Sequence, residues 1–147
     1  MKITVLGCSA SEGIPAIFCN CDLCRQARER KIYRTRSQIL INDDMLVDFP
    51  PDTYYRSLVM GVELGKIENI LVTHSHCDHF YADDFFARGD WSSFCLPVET
   101  ITIHGNTAIR NAFERNGYAK KKGTYVHESR GMINGYNVYD QSSEYTV

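Results

Sequence analysis

The sequence lacks the long apolar segment that a membrane-spanning helix would need. No run in the 147 residues approaches the ~20 consecutive apolar residues of a membrane span. The apolar stretch after Met1 is also shorter than the ~7–15 residues of a signal-peptide core. We therefore expect a cytoplasmic protein that makes no use of membranes, with its 6 cysteines reduced.

The chain also lacks an excess of positive charge. A net charge of −2 and a pI near 6.2 give no standing field to attract nucleic acid. Lys120-Lys121-Lys122 is a local basic run, and a solvated helix end or turn is favoured over a binding patch. Internal repeats, linkers and low-complexity tracts are absent as well. The length therefore indicates a single domain over residues 1–147. The strands and helices predicted below place it in the α/β (α+β) class.

The most informative stretch of the sequence is residues 73–79, which read Thr-His-Ser-His-Cys-Asp-His. It follows an apolar run that predicts a strand covered on both faces, and it precedes a predicted short helix over 80–88. Imidazole nitrogens and carboxylate oxygens are ligands that suit Zn²⁺ or a related divalent metal. A polar loop with coincidental histidines is the alternative, but it rarely gathers four such residues in six positions: His74, His76, Asp78 and His79.

A second group of candidate metal ligands lies near the start of the chain, at Cys19, Cys21 and Cys24. The Cys-x-x-Cys spacing, leading into a predicted helix over 22–30, lets two sulfurs hold one tetrahedral ion. Cys19 can supply a third sulfur, and a fourth ligand must come from elsewhere. Buried free thiols or a redox pair remain alternatives. The redox pair is less favoured because a thioredoxin-type motif would directly follow a strand.

Hydrophobic periodicity and turn residues predict the remaining elements. The predicted strands cover 3–6, 38–41, 45–47, 70–73, 100–104, 125–127 and 136–139, with a hairpin turn at 42–44. Two further helices are predicted over 52–64 and 106–116, the first ended by Gly65 and the second capped by Asn106. In the first, an apolar stripe at helical spacing is predicted to be core: Tyr54, Tyr55, Leu58, Val59 and Val62.

The spacing His-x-His-x-Asp-His at a strand end resembles the signature of the metallo-β-lactamase superfamily. Three further features resemble its cyclic phosphodiesterase branch, whose best-known member opens phosphoribosyl 1,2-cyclic phosphate. They are the small-residue loop 7–15, the three cysteines, and Arg34-Thr35-Arg36-Ser37 before a strand. The resemblance implies an αββα sandwich of two mixed sheets, of which this chain would carry the N-terminal half to two-thirds.

The resemblance also implies a role for each motif residue. His74 and His76 would bind a first catalytic metal, and Asp78 and His79 a second, each ion being Zn or Mn. The three cysteines would hold a structural zinc. Asp48 would lie behind the site and orient a ligand, although an ordinary turn carboxylate explains it equally well. Hydroxide generated by the metal pair would attack a small cyclic or nucleotide-like phosphodiester, with His76 and Asp78 as catalytic residues.

The sequence departs from the family pattern in one serious respect. Relatives use a later histidine on each metal and a bridging aspartate, and here only His104 and His127 remain, neither expected to be a ligand. The sequence thus describes half a site, and two interpretations stay open: a dinuclear phosphodiesterase, or a catalytically silent metal-binding fragment or interaction module. Without the second half of the sandwich, a sheet face would be exposed, so we expect either a fragment or a homodimer that covers it.

Overall fold

The computed structural model describes residues 1–88 and 93–117 in full, and the backbone of 118–121, 124–127 and 136–140. Its strands are β1 (Ile3–Gly7), β2 (Gln38–Ile41), β3 (Met45–Val47), β4 (Asn69–Leu71), β5 (Ile101–Gly105), β6 (Tyr118–Lys121), β7 (Thr124–His127) and β8 (Tyr136–Asp140). Its α-helices are α1 (Asp22–Glu29), α2 (Thr53–Met60) and α3 (Thr107–Arg115), and 3₁₀ helices cover Leu64–Lys66 and Ala82–Arg88.

All of the described strands form one mixed sheet in the order β1-β2-β3-β4-β5-β8-β7-β6. The three central pairings, β3 with β4, β4 with β5 and β5 with β8, are parallel, and the outer pairings are antiparallel. The predicted α/β class is therefore confirmed. Of the two sheets expected for the sandwich, the described part of the chain supplies one.

One face of this sheet carries the hydrophobic core. Leu40, Leu46, Ile70 and Ile103 stand in one cross-strand row and are all buried. Helix α3 and the second 3₁₀ helix cover the row with aromatic and aliphatic side chains that are also buried: Phe85, Ile109 and Phe113. Full burial of such a side chain contributes about 1.5–3 kcal/mol, so this face provides the main stabilisation of the fold.

The opposite face, which we call the open face, is apolar but not buried. Ile3, Val5 and Leu71 are 55%, 56% and 43% exposed. The prediction that the strand before the histidines is covered on both faces is therefore wrong, because only its Ile70 side is packed. The open face comprises seven aliphatic side chains: Ile3, Val5, Ile39, Ile41, Met45, Val47 and Leu71.

Helix α2 differs from its prediction in both length and orientation. It ends at Met60 rather than near 64, because Gly61 adopts a left-handed conformation with φ 66° that stops the helix. Thr53 and Ser57 face the interior, where the Thr53 hydroxyl donates to the Pro50 carbonyl at 2.7 Å and accepts from Gln38 at 2.9 Å. These polar contacts turn most of the predicted core stripe outward; its exposed members are Tyr54, Tyr55, Leu58 and Val59.

The other predicted elements agree with the structure to within one or two residues, with one exception in the basic run. The short helix predicted over 80–88 is the 3₁₀ helix Ala82–Arg88. Lys120 and Lys121 lie in strand β6, which was not predicted, so assigning them to a helix end or turn was wrong; Lys122 lies outside the described residues. The predicted cap of α3 is confirmed, since the Asn106 carbonyl oxygen Oδ1 accepts from the Ala108 N–H at 3.0 Å.

Candidate metal sites

The topology brings Asp48 and the histidine turn to one edge of the sheet. Strands β3 and β4 are parallel neighbours, with Val47 paired to Leu71. The residues that follow the two strands therefore emerge side by side, at the edge where α/β sheets usually carry their sites. The Asp48 N–H donates to the Leu71 carbonyl at 2.8 Å, which continues the pairing one residue beyond β3.

Asp48 supports the turn from its buried side. The residue is 4% exposed and has a left-handed backbone, φ 65°, which is uncommon for a non-glycine residue. Its Oδ1 accepts from the Thr73 N–H at 2.8 Å, and its Oδ2 lies 2.7 Å from His79 Nδ1. Residues in such conformations cluster at functional sites, and this one touches the turn rather than solvent.

The structure gathers all four predicted ligands of the turn. The rings of His74 and His79 have centroids 3.9 Å apart, and those of His74 and His76 are 4.8 Å apart. His79 Nε2 lies 3.5 Å from Asp78 Oδ2. The turn is closed by the His76 carbonyl, which accepts from the His79 N–H at 2.9 Å and thereby brings His79 back toward the other three predicted ligands.

The cysteine cluster is the more compact of the two candidate sites. The Sγ atoms of Cys19, Cys21 and Cys24 all lie within 4.8 Å of one another. Cys24, on the first turn of α1, is buried, whereas Cys21 is exposed. The Arg28 guanidinium donates to the Cys19 carbonyl at 2.6 Å and thereby ties the start of the cluster to the helix.

The ionisation of the three thiols is unequal. The Cys24 backbone N–H and the neighbouring Cys19 and Cys24 side chains donate toward Cys21 and lower the pKa of its thiol. At Cys24, the Ala16 N–H favours the thiolate, but burial and the Cys19 and Cys21 side chains outweigh it and raise the pKa. Three sulfurs this close cannot all carry negative charge without a cation between them, so the donor set fits a thiophilic divalent ion.

The two sites differ in completeness. Within residues 1–88 and 93–117, the ligand atoms of one group of three His, Cys, Asp or Glu side chains lie within 4.8 Å of one another, and this group is the three cysteines. In the same described part of the chain, no three ligand atoms of the histidine turn come this close together, so the turn is less converged than the cysteine cluster. His104 is engaged elsewhere, with its Nε2 3.0 Å from Asn69 Oδ1, and the side chain of His127 lies outside the described residues.

A separate apolar cavity of about 180 Å³ lies beneath the second 3₁₀ helix. Leu46, Ile70 and Phe85 contribute to its wall, and Asp84 reaches it from the helix. Burial, assisted by the adjacent Asp83 charge, raises the pKa of the Asp84 carboxyl. Asp84 was predicted to lie on a solvated face together with Asp83; the structure leaves Asp83 exposed and half-buries Asp84.

One residue of the turn was missed by the sequence analysis. Thr73 was noted only as the start of the motif, yet its hydroxyl contacts both Asp48 and His74. Its position before the first histidine, at the end of an apolar strand, is the signal that could have indicated it. The main-chain pairing of Asp48 with Leu71, which brings the two together, cannot be read from sequence.

Solved structures that resemble this chain share one fold. PqqB from Methylobacterium extorquens, solved with Zn²⁺ bound, is 21% identical with a TM-score of 0.60, and the match covers 78% of this chain and 40% of PqqB. A diphosphatase of the PhnP family is 21% identical with a TM-score of 0.58, covering 84% and 54%. YhfI of Bacillus subtilis, a metallo-β-lactamase fold protein, is 19% identical with a TM-score of 0.56, covering 94% and 45%.

The chain therefore has the metallo-β-lactamase fold, over about half the length of those solved proteins. Among curated proteins, an octanoyltransferase of Porphyromonas gingivalis is 29% identical over 129 residues, which is 85% of this chain but 25% of the octanoyltransferase. A scan against protein-family models finds no match. Within the described residues, no helix is long and apolar enough to cross a bilayer.

Proposed function

We propose that the protein carrying this chain is a metal-dependent hydrolase that cleaves a small phosphodiester. The observation that carries the proposal is the gathering of His74, His76, Asp78 and His79 at the carboxyl edge of β3 and β4, with Asp48 behind them. Three imidazoles and a carboxylate on one turn have no evident structural purpose, because each adds polar atoms that need partners.

The donor set fits divalent metal ions. Asp48 accepts a hydrogen bond at His79 Nδ1, which leaves Nε2 directed toward the Asp78 carboxylate, 3.5 Å away. Those two groups are the pair assigned to one ion, and His74 and His76 the pair assigned to the other. Two such ions, Zn or Mn, would supply a hydroxide nucleophile near neutral pH and offset the charge on phosphoryl oxygens.

The chain's own residues would hold and orient the reactants. His76 is exposed at the tip of the turn, where a bound ester could reach it, and Asp78 can both bind a metal and orient the attacking water. Asp48 fixes the His79 ring by the second-layer contact that metal-binding histidines commonly make. The Cys19, Cys21 and Cys24 cluster would take a structural zinc that anchors the first loop to α1.

The substrate class rests on charge and on resemblance. A net charge of −2 supplies no field for polyanionic nucleic acid, which favours a small molecule. One of the similar structures is a diphosphatase of the PhnP family, and this likeness supports a phosphoryl substrate for the proposed enzyme. A cytoplasmic location is part of the proposal, because a reducing compartment keeps the thiols of the Cys19, Cys21 and Cys24 cluster available to a metal ion.

A second candidate function is a metal-binding unit without catalytic activity. It is favoured by the contrast between the two sites: three sulfurs converge at the cysteines, whereas in the described residues no three ligand atoms of the turn lie as close together. In the assignment above, the turn supplies only two ligands to each ion. Catalytic zinc sites usually have three protein ligands. In this alternative the cysteine zinc stabilises the fold, and the turn stays open for ligands from outside the described residues.

Hydrolysis of bis(p-nitrophenyl) phosphate by the Zn- or Mn-loaded chain tests the two candidates. The hydrolase predicts a low but measurable release of p-nitrophenol, which His76→Ala abolishes. Cys77→Ser is the matched control, because Cys77 lies in the same turn, is exposed and has no assigned role. Turnover that survives His76→Ala would refute the proposed site, and bound zinc without any turnover would favour the silent unit.

A further inference from the structure

A single threonine connects Asp48 to a second histidine. The Thr73 Oγ1 lies 2.9 Å and 3.0 Å from the two carboxylate oxygens of Asp48. The same oxygen lies 3.1 Å from His74 Nδ1. Thr73 thus stands between the carboxylate and the ring of His74. The same hydroxyl oxygen is also 3.4 Å from His79 Nδ1, but that nitrogen has a shorter contact of 2.7 Å with Asp48 Oδ2.

The number of hydrogen atoms on the Thr73 hydroxyl, the Asp48 carboxylate and the His74 ring determines which group donates each hydrogen bond. A threonine hydroxyl has one hydrogen and can also accept, and an ionised carboxylate can only accept. Two approaches to carboxylate oxygens within 3.0 Å require the Thr73 hydrogen to point at Asp48, since otherwise lone pairs would face a negative charge. The Thr73 oxygen is then left as an acceptor, and its partner at 3.1 Å, His74 Nδ1, must carry the hydrogen.

The opposite arrangement is less stable. If the hydroxyl donated to His74 Nδ1, Asp48 would keep its hydrogen bonds from the Thr73 N–H and from His79. Its carboxylate would then face a lone pair of the Thr73 hydroxyl oxygen instead of a hydrogen. Hydrogen bonds to an ionised acceptor are roughly twice as strong as those between neutral groups. Asp48 is 4% exposed, so water cannot readily replace the lost donor.

We propose that Thr73 is a positioning residue that extends the control of Asp48 to His74, so that one carboxylate sets the tautomers of two histidines. His79 is set directly and His74 through the Thr73 hydroxyl, and both rings then present a free Nε2 to a metal. The ring nitrogen that binds metal is fixed by the hydrogen bond that the other nitrogen makes. The benefit of this arrangement for hydrolysis rests on the proposed function, but the tautomers themselves do not.

Long-range ¹⁵N–¹H NMR of the metal-free chain, with its imidazoles neutral, tests the proposal. We expect both His74 and His79 to carry hydrogen on Nδ1 in the wild type, with signals assigned by their loss in His74→Gln and His79→Gln. Finding His74 with hydrogen on Nε2 in the wild type would overturn the proposal without any variant. Because no metal or substrate is present, this outcome is separate from failure of the proposed hydrolase.

Three variants separate positioning from general damage to the fold. Thr73→Val should shift most of the His74 population to the Nε2–H tautomer. His79 should keep its hydrogen on Nδ1, because its 2.7 Å contact with Asp48 remains. Thr73→Ser, which keeps the hydroxyl, should give the same His74 and His79 signals as the wild type. Asp48→Asn should change both histidines. An unchanged His74 in Thr73→Val, or equal disturbance of both rings there, would refute a specific role for Thr73.

Discussion

The cysteine cluster gives the sharpest prediction for this chain. Replacing Cys21 and Cys24 by alanine removes two of the three converging sulfurs. Four ligands about 2.3 Å from a tetrahedral zinc place the sulfurs about 3.8 Å apart. The three Sγ atoms already lie within 4.8 Å of one another, so binding needs each pair to approach by at most about 1 Å. We therefore expect the wild-type chain to bind one zinc ion here.

The expected size of the effect follows from linkage. Zinc at about 100 times its Kd, bound to the native state alone, adds about 2.7 kcal/mol to the free energy of unfolding. For a chain of this length, that raises the Tm by about 8 °C. The double variant Cys21→Ala/Cys24→Ala should lose both the metal and this difference between zinc-loaded and chelator-treated samples.

Metal content by mass spectrometry, with thermal unfolding in parallel, makes the measurement. The matched control is Cys8→Ala/Cys95→Ala, which removes two exposed thiols outside the cluster and should keep the zinc. Equal zinc in the wild type and the cluster variant would refute the reasoning about the cysteines. It would instead show that the histidine turn obtains enough ligands to bind metal, from a second copy or from residues outside the described part.

Three further predictions concern the fold. Gly7→Ala should destabilise the chain by several kcal/mol in urea unfolding, because a Cβ at Gly7 would meet the Arg36 carbonyl oxygen at 1.8 Å; a loss below 1 kcal/mol would contradict this packing. Asp84→Asn should stabilise the chain at pH 7 by less than about 1 kcal/mol. The folded state raises the pKa of Asp84, so the ionised carboxyl lowers the free energy of unfolding as pH rises through the raised pKa. The stability gained by Asp84→Asn should therefore vanish in acid, below the ordinary carboxyl pKa. A gain that persists in acid would exclude this cause. Finally, we propose that a second copy covers the open face: light scattering should show a dimer or larger species, and Val5→Lys should reduce it, whereas a sharply unfolding wild-type monomer would refute the proposal.

The sequence predicted the local elements well because their signals are local. The hairpin at 42–44, the capped helix α3 and the strand before the histidines each depend on a few neighbouring residues. The cysteine cluster could likewise be predicted, since Cys-x-x-Cys on the first turn of a helix brings its sulfurs together without tertiary help.

Helix α2 shows where such reasoning stops. Its apolar spacing predicted a buried stripe, but spacing gives only the faces of a helix and not their orientation. Orientation was decided by Thr53, which is held by Gln38 from a strand 15 residues earlier. The exposed apolar residues of α2 and of the open face follow from packing that only the tertiary structure defines.

The candidate site divides in the same way. The sequence by itself determined the ligand types, their spacing and their place at a strand end, because residues 73–79 are contiguous. Only the tertiary structure decided that Asp48 lies against His79 and that Thr73 lies between Asp48 and His74. Those contacts join residues 25 and 31 positions apart, and they depend on the parallel pairing of β3 with β4, which no local sequence pattern specifies.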